Sequence, residues 1–211
     1  MSPHTLARIS IVVSAILAVA TLLVGDLFWV VVAALNIVFL AWPIHKKHDF
    51  YYSDKIVIST IVPAVLELVF IILQVTVNPL EGCYWIEVPA DFFVSTLFQS
   101  MMAFSEGLLL VVLMDREGTL VLTKRWMILY AMMFALMISV ISLFFTFVYL
   151  YEMGIPVFNG DVAETGFHDS NNKMMTSAFV TTFATPFYAL AAVRCTHGKN
   201  KDIFTVRRSS E

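Results

Sequence analysis

Charged residues are scarce in this chain: Asp, Glu, Lys and Arg make up 14% of its 211 residues, while 59% are hydrophobic. Soluble globular chains carry about 25% charged residues, so this composition excludes an ordinary water-soluble domain and leaves a polytopic membrane protein. Cysteine is nearly absent. Cys83 and Cys195 cannot build a disulfide framework, and the topology below puts them on opposite sides of the membrane, so redox chemistry has no support. Also missing are a phosphate-cradling glycine loop, HExxH, GxSxG and any basic patch for nucleic acid, so no nucleic-acid partner is expected and the cofactor is unknown. There is no low-complexity tract, and no internal repeat strong enough to argue inverted symmetry.

What the chain has instead is a series of long apolar runs. The expected fold class is all-α, a polytopic transmembrane bundle of six helices over about 6–24, 27–44, 56–77, 92–114, 126–151 and 174–194. These form one domain over 1–194, followed by a basic tail over 195–211 that is expected to be mobile. A secretory leader is the alternative for the first run, because Ala18 and Ala20 make a small-x-small pair after an apolar core. Against it, Leu22, Leu23 and Val24 prolong the run, and only Gly25 and Asp26 separate it from the next, the pattern of a tight helical hairpin. Trp29 and Trp42, near the two ends of the second helix, suit the headgroup level. The fifth helix, at about 39 Å, should tilt or protrude.

Orientation follows from where the few charges fall. Every Lys and Arg except Lys173 lies on one side of the six-helix plan: Arg8, Lys46, Lys47, Lys55, Arg116, Lys124, Arg125 and the cluster from Arg194 to Arg208. The positive-inside rule therefore places both termini in the cytoplasm. The other side carries Asp26, Glu81, Glu87, Asp91, Glu152, Asp161, Glu164 and Asp169, an acidic outer face.

Two carboxylates interrupt the apolar runs, Glu67 in the third helix and Glu106 in the fourth. A charge at bilayer depth costs roughly 2.5 to 3.5 kcal/mol on insertion scales, so each is a candidate functional group. Counted from the inner helix ends, Glu67 lies about 16 Å in and Glu106 about 12 Å in, with Asn36 at a similar level, which predicts one shared polar layer. Thr60, Glu67 and Gln74 recur on one helix face, and so do Ser95, Gln99, Ala103 and Glu106. Pro63 and Pro186 remove the hydrogen bonds to the Ser59 and Thr182 carbonyls, freeing oxygens that either bind a cation or are satisfied by a nearby hydroxyl. The hydroxyl stripes Ser139, Ser142, Thr146, Tyr149 and Ser177, Thr181, Thr185, Tyr188 fit a packing seam between membrane helices. The expected function is movement of a small solute or cation coupled to protonation of Glu67 and Glu106, with Asn36 and the Ser59 and Thr182 carbonyls as neutral ligands and Gln99 and Gln74 as further candidates. Buried glutamates that only lock the bundle, in a structural or assembly protein, are the alternative.

Other candidates lie outside the apolar runs. His45, His48 and Asp49 form HKKHD, which reads first as a basic cluster against anionic lipid and second as a metal site. The outer segments hold Glu87, Asp161, Glu164, His168 and Asp169, a set able to ligate a cation or act as acid and base on a lipid headgroup or exported substrate, though a solvated acidic loop is the simpler reading. The EVP of Glu87 to Pro89 and the GDVAET of Gly160 to Thr165, set ahead of the fourth and sixth helices, resemble the YjdF-type family of inner-membrane proteins. The resemblance implies a six-helix fold in a prokaryotic plasma membrane more than an activity, and carries over only Asp161 and Glu164. That family's histidine early in the fourth helix and acid inside the fifth are replaced here by Gln99 and Ser100 and by an acid-free run up to Glu152. The expected partners are thus the lipid bilayer, a small solute or cation, and further copies of the chain in a homo-oligomer.

Overall fold

In a medium without water every backbone N–H and C=O must be paired within its own segment, so each apolar run is expected to close into a helix. The computed structural model describes residues 3–44, 50–52, 54–85, 88–143, 176, 178–191 and 206–208, and among these it is a bundle of six helices. They are α1 (Pro3–Val24), α2 (Leu27–Ile44), α3 (Asp54–Thr76), α4 (Ala90–Arg116), α5 (Lys124–Leu143) and α6 (Ala178–Ala191). Four of them, α1, α3, α4 and α5, are long and apolar enough to cross a membrane. The last eight residues of the expected fifth helix, 144–151, lie outside the described residues, as do 174, 175, 177 and 192–194 of the expected sixth.

Local chemistry sets the turns. Gly25 takes φ +86°, and the Asp26 N–H reaches the Thr21 carbonyl at 3.0 Å while the Gly25 N–H reaches the Leu22 carbonyl at 3.1 Å, a Schellman stop that only a residue free of a Cβ enters cheaply. Asp26 then opens α2 by accepting the Trp29 N–H at 3.4 Å. Gly118, at φ +74°, ends α4 in the same way, with the Thr119 N–H on the Met114 carbonyl at 3.0 Å.

Side-chain contacts show that successive helices alternate in direction. Two apolar clusters mark the two ends of the bundle. One holds Phe28, Trp29, Ile71 and Phe92, with Leu17 against it; the other holds Ala7, Phe39, Leu40, Ile61, Leu108 and Met127. Thus α1 runs from the second cluster to the first, α2 back again, α3 forward and α4 back. On α5, Ala131 lies against Gly107 and Ser139 meets Thr181 at the level of Ser100, so α5 runs opposite to α4. On α6, Thr181 meets Ser100 and Tyr188 packs on Phe104, so α6 runs with α4. The starts of α1, α3 and α5 and the ends of α2, α4 and α6 therefore share one end. Arg8, Lys55, Arg116, Lys124 and Arg125 lie there, while Asp26, Glu81 and Asp91 lie at the other.

The middle helix of the bundle is α4. Every residue from Met102 to Leu109 is buried, as expected of a helix surrounded by others. The outer helices present apolar stripes instead: Ile9, Val12, Ile16, Val19 and Leu23 on α1, and Phe179, Phe183, Phe187 and Leu190 on α6, are exposed at spacings of three and four. Such stripes would be untenable in water over this area and are what a bilayer-embedded bundle presents.

Two expectations are corrected. Trp29 is 4% exposed, edge-on to Phe28 and Phe70 at 4.7 and 5.8 Å between ring centroids, so it fills the core instead of marking the headgroup level. In the tail, Val206–Arg208 forms a strand (β4) antiparallel to Phe50–Tyr52 (β1), pairing backbone groups that would otherwise need water. At the acidic end, Tyr84–Trp85 (β2) pairs with Val88–Pro89 (β3) just ahead of α4.

Candidate functional site

Between the two apolar clusters lies a polar layer. Asn36 falls between Ala33 and Phe39 on α2, Glu67 between Ala64 and Leu68 on α3, and Ser95 and Ser100 between Phe92 and Met102 on α4, each pair of flanking residues taken from opposite clusters. Glu67 is completely buried, and its Oε1 accepts a hydrogen bond from Ser95 Oγ at 2.9 Å. Gln99 Nε2 approaches the same Ser95 hydroxyl at 3.5 Å, and Gln99 and Asn36 both flank the Glu67 carboxyl. Oε2 of Glu67 has no hydrogen-bond partner, nor does either amide atom of Asn36, itself 0% exposed. The structure thus brings Glu67, Asn36 and Gln99 together, and adds Ser95.

Glu106 lies elsewhere. It is 7% exposed, and neither of its oxygens has a partner. Its neighbours in sequence, Ala103, Phe104, Leu108 and Leu109, all belong to the apolar cluster of the basic end. The expected common depth with Glu67 does not hold. Ser95 is level with Glu67, whereas Ser105, beside Glu106, donates to the Ser59 carbonyl at 3.1 Å. At 1.5 Å per residue the two glutamate backbones are therefore about 12 to 16 Å apart along the bundle axis.

Gln74 also departs from the expected layer. Its Nε2 donates to Asn78 Oδ1 at 3.2 Å and its Oε1 accepts the Leu80 N–H at 3.4 Å, so it closes the end of α3 onto the following turn. The carbonyl freed by Pro63 is not an open ligand either. Ser59 O accepts from both Ser105 Oγ and Tyr188 OH, the satisfied alternative anticipated for such a kink. The hydroxyl stripes serve as a seam, since Ser100, Thr181 and Ser139 link α4, α6 and α5 through contacts of 2.8 and 3.0 Å. Ser142's side chain, Thr146, Tyr149 and Ser177 lie outside the described residues, as do His45, His48, Asp49, Glu87, Asp161, Glu164, His168 and Asp169. Among the described residues no three His, Cys, Asp or Glu side chains gather as a metal site.

Ser105 is a contributor that sequence reasoning passed over, and Tyr188, read there as part of a packing seam, was not connected to the Ser59 carbonyl. The signal was available: a tyrosine hydroxyl inside an apolar bundle must find an acceptor, and Pro63 had just released one. Asp26, at the acidic end, is half-buried, and burial raises its carboxyl above the usual 3.8 despite the opposing hydrogen bonds from the Trp29 and Phe28 N–H groups. Comparison with protein-family models, with curated proteins and with solved structures gives no significant match.

Proposed function

We propose that this chain is a multi-pass membrane protein with its basic end in the cytoplasm, and that it moves protons, and with them a small solute or cation, through carboxyls held inside the bundle. One observation carries the reading. All the buried side-chain oxygens and nitrogens without a partner among the described residues belong to Glu67, Asn36 and Glu106. Leaving such groups unsatisfied costs about 1 to 3 kcal/mol each, and more when charged, so a bundle that only needed to pack gains nothing from them. A carboxyl that takes up and releases a proton is served by this incomplete satisfaction, because hydrogen bonds to one protonation state favour that state over the other. Protonated Glu67 can donate from Oε2 to the Asn36 amide oxygen; ionised, it can accept from the Asn36 amide N–H or meet a cation.

The orientation rests on the basic residues gathered at one end of the bundle. With Cys195→Ser, exposed Cys83 at the acidic end should react with a membrane-impermeant maleimide added to intact cells; labelling only after lysis would reverse it. The transport reading is tested by reconstituting the full chain into proteoliposomes with an internal pH dye. Glu67→Gln and Glu106→Gln keep shape and hydrogen bonding but abolish titration, and each should cut proton flux at least tenfold in protein that still elutes as a single species. Undiminished flux in both variants and in their double would make the acids structural.

A further inference from the structure

The spacing of the two carboxyls says what the Glu67 site can hold. We infer that the Glu67 carboxyl, with the side-chain oxygens of Asn36 and Ser95, binds one monovalent cation, in exchange with the proton of Glu67. This rests on the transport reading and names the ion class of its site.

The first step is charge. Among the described residues Glu67 is the sole ionisable side chain in the buried layer: α2 contributes Asn36, α4 contributes Ser95 and Gln99, and α1, also packed on α3, brings only Ser10 and Ser14 to its buried face at mid-length. Along the seam the next titratable groups are Asp91, one turn before Ser95 toward the acidic end, and Glu106 toward the basic end. An ion held by oxygens must approach each within about 2.0 to 2.6 Å, which no single ion can do for Glu67 and Glu106 across their offset. A pocket with one negative charge in a low-dielectric interior neutralises one positive charge. A divalent ion there would leave a full uncompensated charge, the costliest outcome such a site offers.

The second step is ligand type. Glu67 Oε2 and Asn36 Oδ1 are buried and without partners, and the Ser95 hydroxyl lies on the same carboxyl, held from behind by Gln99 Nε2. The Asn36 amide oxygen and the Ser95 hydroxyl oxygen beside a single carboxylate replace part of the hydration shell of an alkali cation, as rings of backbone carbonyls do in channels. Glu106 has no such company. Its oxygens meet no hydrogen-bonding side chain, so its site offers nothing to strip water from a metal ion and suits a proton alone.

The test is equilibrium binding of radioactive sodium to the purified full chain in detergent, with competing ions. Saturable binding near one ion per chain is expected, undisplaced by equal concentrations of Mg²⁺ or Ca²⁺. Its affinity should fall on acidification by up to tenfold per pH unit, since one proton competes for one carboxylate. Glu67→Gln should weaken binding at least tenfold. Asn36→Asp, which adds a second carboxylate to the pocket, should gain Ca²⁺ binding by at least tenfold, and Ser95→Ala, the mildest change, should weaken Na⁺ severalfold even if the bulkier variants misfold. The inference is overturned if Na⁺ does not saturate, if a divalent ion displaces it from the unaltered chain, or if all folded variants bind Na⁺ unchanged. Na⁺ binding without proton flux in proteoliposomes would leave this site standing and remove the transport reading, whereas flux without Na⁺ binding would do the reverse.

Discussion

Gly107 offers the sharpest test of how this bundle is held together. An added Cβ would sit 2.9 Å from the Ala131 carbonyl oxygen and 2.9 Å from both Cβ and Cδ1 of Phe134. Ordinary contact begins near 3.4 Å, so α5 must withdraw by about half an ångström, and the Ala131 carbonyl cannot yield alone because it is part of a helix. A gap of 0.5 to 1 Å forfeits about a quarter to a half of each dispersion contact it opens, and overpacking a tight site costs about 1 to 3 kcal/mol. Opposing this, replacing Gly by Ala in a helix interior gains about 0.8 to 1.0 kcal/mol from propensity. The net expectation for Gly107→Ala is a loss of about 0 to 2 kcal/mol, and Gly107→Val, larger and without the full propensity gain, should lose more. Thermal or denaturant unfolding in a fixed detergent reads both. A Gly107→Ala variant clearly more stable than the parent would show propensity acting alone, and the close α4–α5 seam would be wrong.

Two further perturbations probe single polar groups. Because burial raises the folded-state value of Asp26 above 3.8, its contribution to stability is full below 3.8 and is lost as pH rises through that higher value, so Asp26→Asn should be slightly more stable than the parent at pH 7, by under about 1 kcal/mol, with the gap closing toward pH 3.8; a constant gap across that range refutes the assignment. Removing both donors to the Ser59 carbonyl with Ser105→Ala and Tyr188→Phe should cost about 1 to 3 kcal/mol by denaturant unfolding. Adding Pro63→Ala restores an N–H able to reach that carbonyl and should recover part of the loss; no recovery would place the cost elsewhere.

Much of the fold was legible because bilayer physics writes it in composition. Apolar length marks helices, and the turn at Gly25–Asp26 reads directly as a stop followed by a cap. Side-chain facing was legible too, since the stripe of Glu67 and that of Ser95 and Gln99 do meet across the α3–α4 seam. Gln74 was misread because helical spacing assigns a face and not a partner: it belongs to the stripe of Glu67, but it lies so near the end of α3 that the following turn claims both its polar atoms. Trp29 was misread for a related reason. A tryptophan near a helix end suits the headgroup level only if the end is peripheral, and here Phe28, Phe70 and Phe92 enclose it.

The depth of Glu106 was illegible for a different reason. Measuring from helix ends assumes that neighbouring helices stop on one plane, and α4, at 27 residues against 23 for α3, does not. Ser105 touches the Ser59 carbonyl, yet Ser59 is one and a half turns from the start of α3 at Asp54 while Ser105 is three turns from the end of α4 at Arg116, so α4 overshoots by roughly 9 Å at the basic end. Ends are set by local devices such as the Gly118 stop, whereas register is set by long-range fits: Ser105 and Tyr188 on the carbonyl that Pro63 released, and Gly107 against Ala131. No local pattern in a single sequence couples the two. The consequence reaches the chemistry, because two carboxylates on one level would share one site, while the offset separates them into two sites of one carboxyl each.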